Sequence, residues 1–356
     1  SFSNLDIEKQ YAIENAAYIS NTHTITDWLS ATYGIRISAF TIVGPSSYFE
    51  WDDNRENILD TNSYSSLEAV KTYWGPEPRI SINARINPRS SVKVSYNRMR
   101  QYLNLLSNSA TSLPTDQWIP SSPQIRPQVA DQVAAGYFRN FKDNQYEASV
   151  EVYYKRFNNL IEFKNGAEIL FNPQVEGELY FGDGQAYGIE LFVKKRVGKF
   201  NGWIGYTLSR TEQSFDEIQE GSFFPTRYDR RHDLSVVASY QINERMNVAG
   251  TFVYSTGQAF TFPAGSYVVD GKDVPLYTSR NGGRLPDYHR MDLSLNIDGK
   301  KTKKFESSWN FSIYNVYGRK NAWAIFFQEN EETGDREAVR VALFRWVPSV
   351  TWNFKF

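Results

Sequence analysis

The side chains that could do chemistry are few, and their spacing is wrong for it. The 356-residue chain has three histidines, His23, His232 and His289, and no cysteine. A zinc site needs a compact set of nitrogen and sulfur ligands, and no HxxxH-like pair supplies one; disulfides are excluded. His23 reads as part of a short turn. His232 and His289 stand beside arginines at the ends of strand-like segments. Glu147 and Glu151 share a strand face but lie ~13 Å apart along it, too far for an acid–base dyad. They read as a polar face balanced by neighbouring Lys or Arg. The expectation is a protein that is not an enzyme and carries no cofactor.

Two other groups could bind rather than react. The first is arginine in "YDRRHD" (228–233) and "RLPDYHRMD" (284–292). Arg230, Arg231, Arg284 and Arg290 could grip an anionic or chelated ligand bidentately. The same arginines could instead pair with Asp229, Asp233, Asp287 and Asp292 and hold strand ends, and this reading is favoured. The second group is aromatic, in the long connections: Tyr48, Phe49 and Trp51; Phe223 and Phe224; Phe260, Phe262, Tyr267 and Tyr277; Trp323, Phe326 and Phe327. Clustered rings mark binding surfaces, but they also build interfacial girdles and loop packing. The acidic run "QENEETGDRE" (328–337) reads as a hairpin turning at Thr333-Gly334-Asp335; it lacks the EF-hand spacing for calcium.

The elements that must position these residues have a period of two. In "SVTWNFKF", which ends the chain, Val350, Trp352, Phe354 and Phe356 alternate with Ser349, Thr351, Asn353 and Lys355. "RMDLSLNID" places Met291, Leu293, Leu295 and Ile297 on one face, and "YEASVEVYYK" does the same with Tyr146, Ala148, Val150, Val152 and Tyr154. About thirteen such segments recur, each roughly 9 to 13 residues long; soluble strands average ~5 to 6, and strands that cross a bilayer at a tilt need ~9 to 11. The polar face carries Arg36, Arg85, Glu147, Glu151, Lys155, Glu190 and Lys194 in mid-strand. The apolar face must then meet a second sheet or lipid. Aromatic residues make up 16% of the chain, which suits a lipid-facing surface with girdles. Mean hydropathy is −0.53, and no apolar run approaches the ~20 residues of a membrane helix. The start is neither a signal peptide nor an initiating methionine, so a mature piece of something longer is expected. A net charge of −1 gives no general pull on nucleic acid or anionic lipid, and neither is favoured as a partner.

Connections alternate in length. Short ones fall at 21–25, 87–90, 141–145, 197–200, 242–246 and 298–304. Long ones fall at about 44–78, 104–127, 158–184, 214–228, 257–284 and 318–347. Short turns on one side and long loops on the other are the habit of outer-membrane barrels, with the short side periplasmic. Both the first and the last strand then run inward, so their number is odd. Single-chain bacterial barrels have an even number. Either one strand escapes this reading or the rest of the barrel is missing; the expectation is one unit over 1–356, a partial transmembrane antiparallel β-barrel, all-β, with long extracellular loops.

Five blocks carry a family resemblance: "YGIELFVKKRVGKFNGWIGYTLSRTE" (187–212), "FPTRYDRRHDLSVVASYQIN" (224–243), "NGGRLPDYHRMDLSLNI" (281–297), "FSIYNVYGRKN" (311–321) and the terminal aromatic strand. Together they resemble the C-terminal barrel part of TonB-dependent outer-membrane transporters, closest in style to those of Bacteroidota. The resemblance implies the last thirteen strands of a twenty-two-stranded barrel. The N-terminal plug, the first nine strands and the TonB-binding segment would lie in the same gene or in a second chain. It implies active import of a scarce solute across the cell outer membrane, driven by the TonB complex through the missing part. It also allows a surface lipoprotein as partner. Ligand contacts would come from loops and mouth, at Tyr48, Trp51, Phe223, Phe224, Arg230, Arg231, Phe260, Phe262, Arg284 and Trp323. Trp352, Phe354 and Phe356 would form the signal for barrel assembly. The rival readings are a passive porin or structural outer-membrane component, and a soluble carbohydrate-binding β-protein. The substrate is not legible.

Overall fold

A computed structural model describes residues 9–52, 57–106, 117–164, 167, 172, 174–269, 272–277, 279–299, 305–329 and 336–356. Thirteen long strands follow one another in a single antiparallel sheet, each paired with its neighbours in sequence order. They are β1 (Tyr11–Thr24), β2 (Leu29–Val43), β3 (Ala69–Asn87), β4 (Ser90–Gln101), β5 (Gln128–Phe141), β6 (Tyr146–Phe163) and β7 (Leu179–Lys195). The wall continues with β8 (Phe200–Ser214), β9 (His232–Asn243), β10 (Met246–Ser255), β11 (Tyr288–Asp298), β12 (Glu306–Tyr314) and β13 (Val347–Lys355). The short strand Phe224–Pro225 adds to the edge of β8. The outer edges of β1 and β13 have no strand partner among the described residues.

The register makes the alternation continuous across strands. Val150 stands opposite Leu191, Val193 opposite Ile204, Ile204 opposite Val236, and Val236 opposite Phe252. Phe252, Met291, Leu293 and Ile313 carry this apolar face on to β12. Opposed residues in an antiparallel pair point to the same side, so one face of the wall is apolar. Val150, Leu191, Val193 and Ile204 are exposed in this chain, as a lipid-facing surface requires. Exposed rings bound the band. Trp74, Tyr154, Tyr187, Tyr317 and Trp346 lie toward the long loops, and Phe141, Phe200, Tyr240, Trp309 and Trp352 toward the short turns. Aromatic girdles sit at the two bilayer interfaces.

Buried apolar clusters lie where the loop-side ends of the wall strands meet the loops. Phe40, Ile42, Tyr48 and Tyr102 form one, with Phe40 and Tyr102 stacked at 4.8 Å. Ile119, Ile125, Phe163, Val175 and Leu179 form the other. Strand pairs at 46–51 with 58–64, 103–106 with 117–120, 263–269 with 272–277, and 324–329 with 336–341 extend four of the long loops as hairpins. The expected turn at Thr333-Gly334-Asp335 lies outside the described residues.

Strand limits depart from the sequence reading in two instructive places. His23 lies within β1, not in a turn: Thr22 and Thr32 share a hydroxyl bond of 3.1 Å, and Asn21 donates to the Tyr33 hydroxyl at 3.0 Å. Polar residues that look like a turn are here a cross-strand ladder. The segment through Gly75-Pro76-Glu77-Pro78 falls in the long connection expected at about 44–78, and proline cannot donate to a ladder. It is instead the upper half of β3, opposite Ile35 and Ile37 of β2. Pairing of β3 with β4 stops at Arg79–Asn97, while β4 above it continues to pair with β5. The prolines therefore occupy a stretch bonded on one side only, as an edge strand permits.

Candidate functional site: the mouth and the inner wall

The polar face of the wall leads up to loops that ionic bonds lash together. At the top of β6 a bulge at Asn159, with φ of 59°, shifts the register and re-aims the strand end. Glu162 then lies almost buried, its side chain 5% exposed. Arg227 reaches it at 3.2 Å from the loop after β8, and Arg280 at 2.9 Å from the loop after β10. Gln213 donates to its other oxygen at 2.8 Å, and Arg280 also donates to the Phe163 carbonyl at 2.8 Å. Burial alone would raise the Glu162 pKa. The two arginines more than offset that and hold it below the usual carboxylate range. One carboxylate at a strand end thus ties two of the long loops together.

The expected arginines take similar posts. Arg284 pairs with the buried Asp229 and donates to the Asp229 carbonyl at 2.6 Å. Asp229 in turn accepts from the Thr211 amide at 2.7 Å. Arg290 pairs with Asp292 at 3.0 Å and lies over the Tyr314 ring at 4.2 Å. Arg230 donates to the Ser255 hydroxyl at 2.6 Å. Asp287 accepts from the Tyr254 hydroxyl at 2.8 Å and the Gly257 amide at 3.1 Å. Arg231 makes no ion pair among the described residues. Asn281 donates to the Pro225 carbonyl at 2.9 Å, adding a further tie between the same two loops.

The rings divide by exposure. Tyr48 and Phe224 are buried, the latter against Phe215 at 6.2 Å. Trp51 is half-buried against Gly177, where a Cβ would come to 2.6 Å of the indole. Phe260 and Phe262 meet edge-on at 4.9 Å and are half-buried, as is Trp323. Phe223 is exposed. The side chains of Tyr267, Tyr277, Phe326 and Phe327 lie outside the described set. On the lipid-facing side, Trp309, Trp352, Phe354 and Phe356 form a ladder of rings at 5.8, 4.6 and 6.0 Å. His232 and His289 each bond a tyrosine hydroxyl at 2.8 Å, from Tyr206 and Tyr317.

A patch on the inner wall escaped sequence reading. Glu147 pairs with Arg196, as a balanced polar face predicts, but Glu151 stands opposite Glu190 on the same face. Neither carboxylate has an ion pair among the described residues. Like charges in direct opposition destabilise a strand pair. On that face lie Tyr153, Phe138 and the contacting rings of Phe192 and Trp203, centroids 6.0 Å apart. The signal was hidden because a long loop separates β6 from β7, and alternation alone does not set which residues face each other across it.

A lipid-facing sheet with a polar inner face and lashed loops defines the wall of an outer-membrane β-barrel. A family profile described as "TonB dependent receptor-like, beta-barrel" matches residues 2–316, and the chain belongs to that family of outer-membrane proteins. Comparison with curated proteins gave no match. Among solved structures, the chain resembles the closed form of the ferric-catecholate import receptor Fiu of E. coli, with TM-score 0.56, 14% identity, and coverage of 96% of this chain and 45% of that one. The Pseudomonas aeruginosa ferripyoverdine receptor bound to ferripyoverdine gives 0.58, 14%, 96% and 38%. The FrpB iron transporter of Neisseria meningitidis gives 0.57, 13%, 97% and 46%. The chain therefore spans less than half the length of these proteins.

Proposed function

We propose that this chain is the C-terminal wall and mouth of an importer that TonB drives, and that a plug fills the space before its inner face. The observation that carries this reading is the inner-wall patch: Glu151 and Glu190 opposed without a cation, among Tyr153, Phe138, Phe192 and Trp203. A water-filled passive pore has no use for large rings on its inner face. A folded domain carrying basic and apolar side chains would match both the charge and the rings. By their names the resembled proteins are a ferric-catecholate import receptor, a ferripyoverdine receptor and an iron transporter, which makes a ferric chelate the first solute to test. The exposed Phe223, the half-buried Trp51, Phe260, Phe262 and Trp323, and Arg231 are the mouth residues placed to meet it. Arg230 and Arg284 hold the mouth in shape. Tyr48 and Phe224 contribute only if loops part. Trp352, Phe354 and Phe356 serve assembly. A surface lipoprotein, if one binds, would do so over the external loops and would co-purify.

The test is uptake by cells in which the intact protein is the sole importer of a labelled ferric chelate. Uptake should stop when TonB is deleted or the proton-motive force is collapsed. Uptake that persists and rises linearly with solute concentration would instead identify a passive porin.

A further inference from the structure

The net charge of −1 conceals a local excess of cations at the periplasmic ends of β5 to β8. Arg139 lies over the Phe141 ring at 4.9 Å, Lys142 over Tyr146 at 5.7 Å, and Lys195 over Phe200 at 5.8 Å. These three rings belong to the lipid-facing set: Tyr137, Val150, Leu191 and Ile204 precede them on that face. The strip therefore lies just beyond the apolar band, on the outside of the wall.

The strip's carboxylates do not neutralise it. Asp143 is taken by Arg89 at 3.1 Å, and Glu147 by Arg196. Arg139, Lys142, Lys195 and Lys199 have no carboxylate partner among the described residues. Lys195 donates to the carbonyls of Val197 at 2.9 Å and Phe200 at 2.6 Å, which fixes its position and leaves one ammonium hydrogen outward. The cation–ring contacts likewise hold the charges in place without cancelling them. Elsewhere on the outer face the arginines are matched: Arg98 with Asp131 at 2.7 Å and Arg156 with Asp183 at 3.6 Å, both toward the external side.

We infer that this strip is a docking surface for the anionic headgroup of a phospholipid in the inner leaflet of the outer membrane. The geometry fits that occupant in two ways. Acyl chains would lie along the exposed apolar face, and the phosphate would meet fixed cations at the depth of the lower girdle. The proposal departs from the expectation, drawn from net charge, that anionic lipid is not favoured as a partner. Net charge sums over a molecule whose two ends face different leaflets, so a one-ended excess vanishes in it.

The experiment uses the intact receptor reconstituted in vesicles with spin-labelled phosphatidylglycerol or phosphatidylcholine. The measured quantity is the relative association of each label with the protein surface. Phosphatidylglycerol should be preferred by at least ~5-fold, the factor that a single basic residue near an anionic surface supplies. The preference should fade near 1 M salt, where the screening length is ~3 Å. The triple variant Arg139→Gln, Lys142→Gln, Lys195→Gln should bind both lipids alike. Lys155→Gln with Lys194→Gln, on the inner face, should keep the preference. Equal association of both lipids with the unaltered protein overturns the proposal, and so does equal loss in the inner-face variant. Should the triple variant fail to show heat-modifiable mobility, the salt series on the unaltered protein decides.

Discussion

Replacing Leu293 by Arg tests which side of the wall meets lipid. Leu293 lies midway along β11, between His289 near the upper girdle and Ile297 near the lower, on one face. It stands opposite Gly250 of β10 and Ile313 of β12, and its Cδ2 packs over Gly250, where a Cβ would come to 3.0 Å. An arginine there faces hydrocarbon near mid-bilayer and should cost ~2 to 4 kcal/mol. That is a factor of ~30 to 700 in the folded-to-unfolded ratio, at 1.4 kcal/mol per tenfold. Ser294, the next residue, points to the inner face opposite Ala249 and Ser312. Arg at Ser294 should cost little, because the inner face already carries arginines such as Arg290. The assay is urea unfolding of the intact protein in lipid vesicles, followed by heat-modifiable mobility. For a slope of ~3 kcal/mol per molar, Leu293→Arg should lower the midpoint by ~1 M and Ser294→Arg should leave it unchanged. Equal tolerance at the two positions, or the reverse order, would refute the assignment of faces and the barrel with it.

Three further outcomes are expected. Glu162→Gln removes the negative charge that two arginines share in a nearly buried clasp; it should cost ~3 kcal/mol locally and expose the loop after β10 to protease, while the wall stays protected from hydrogen exchange. The clasp should also depend on pH with a fixed sign. The folded-state pKa of Glu162 is depressed, so its contribution is fully present above the unfolded value of ~4.3 and is lost as pH falls through the folded value. The protection factor of that loop, its exchange corrected for the intrinsic base-catalysed rate, should therefore be flat from pH 7 to 5 and fall only in stronger acid; a fall between pH 7 and 6 would contradict the assignment. Gly177→Ala places a Cβ within 2.6 Å of the Trp51 ring and should displace that indole at ~1 to 3 kcal/mol, visible as a red shift in tryptophan emission.

The wall was legible in the sequence, since the thirteen segments, their two faces and the alternation of short and long connections follow from a two-residue period and local breakers. That the mouth arginines pair with the aspartates of the same two motifs was legible for Arg284 and Arg290, but which aspartate each one meets was not. Pro76 and Pro78 fell in an expected connection, whereas the wall holds them in a stretch bonded on one side only, which alternation within one strand does not reveal. Alternation states the face on which a residue lies, and nothing more. Register across a long loop decided that Glu151 meets Glu190 rather than a lysine. Folding of separate loops onto one strand end brought Arg227 and Arg280 to Glu162, which they follow in sequence by 65 and 118 residues. The pairing of successive short turns gathered Arg139, Lys142, Lys195 and Lys199 along one rim. Periodicity is a property of neighbours in the chain, so the sequence by itself determined the wall and its two faces. Charge balance is a property of neighbours in space, so the tertiary structure alone decided which charges are matched and which have no ion pair among the described residues.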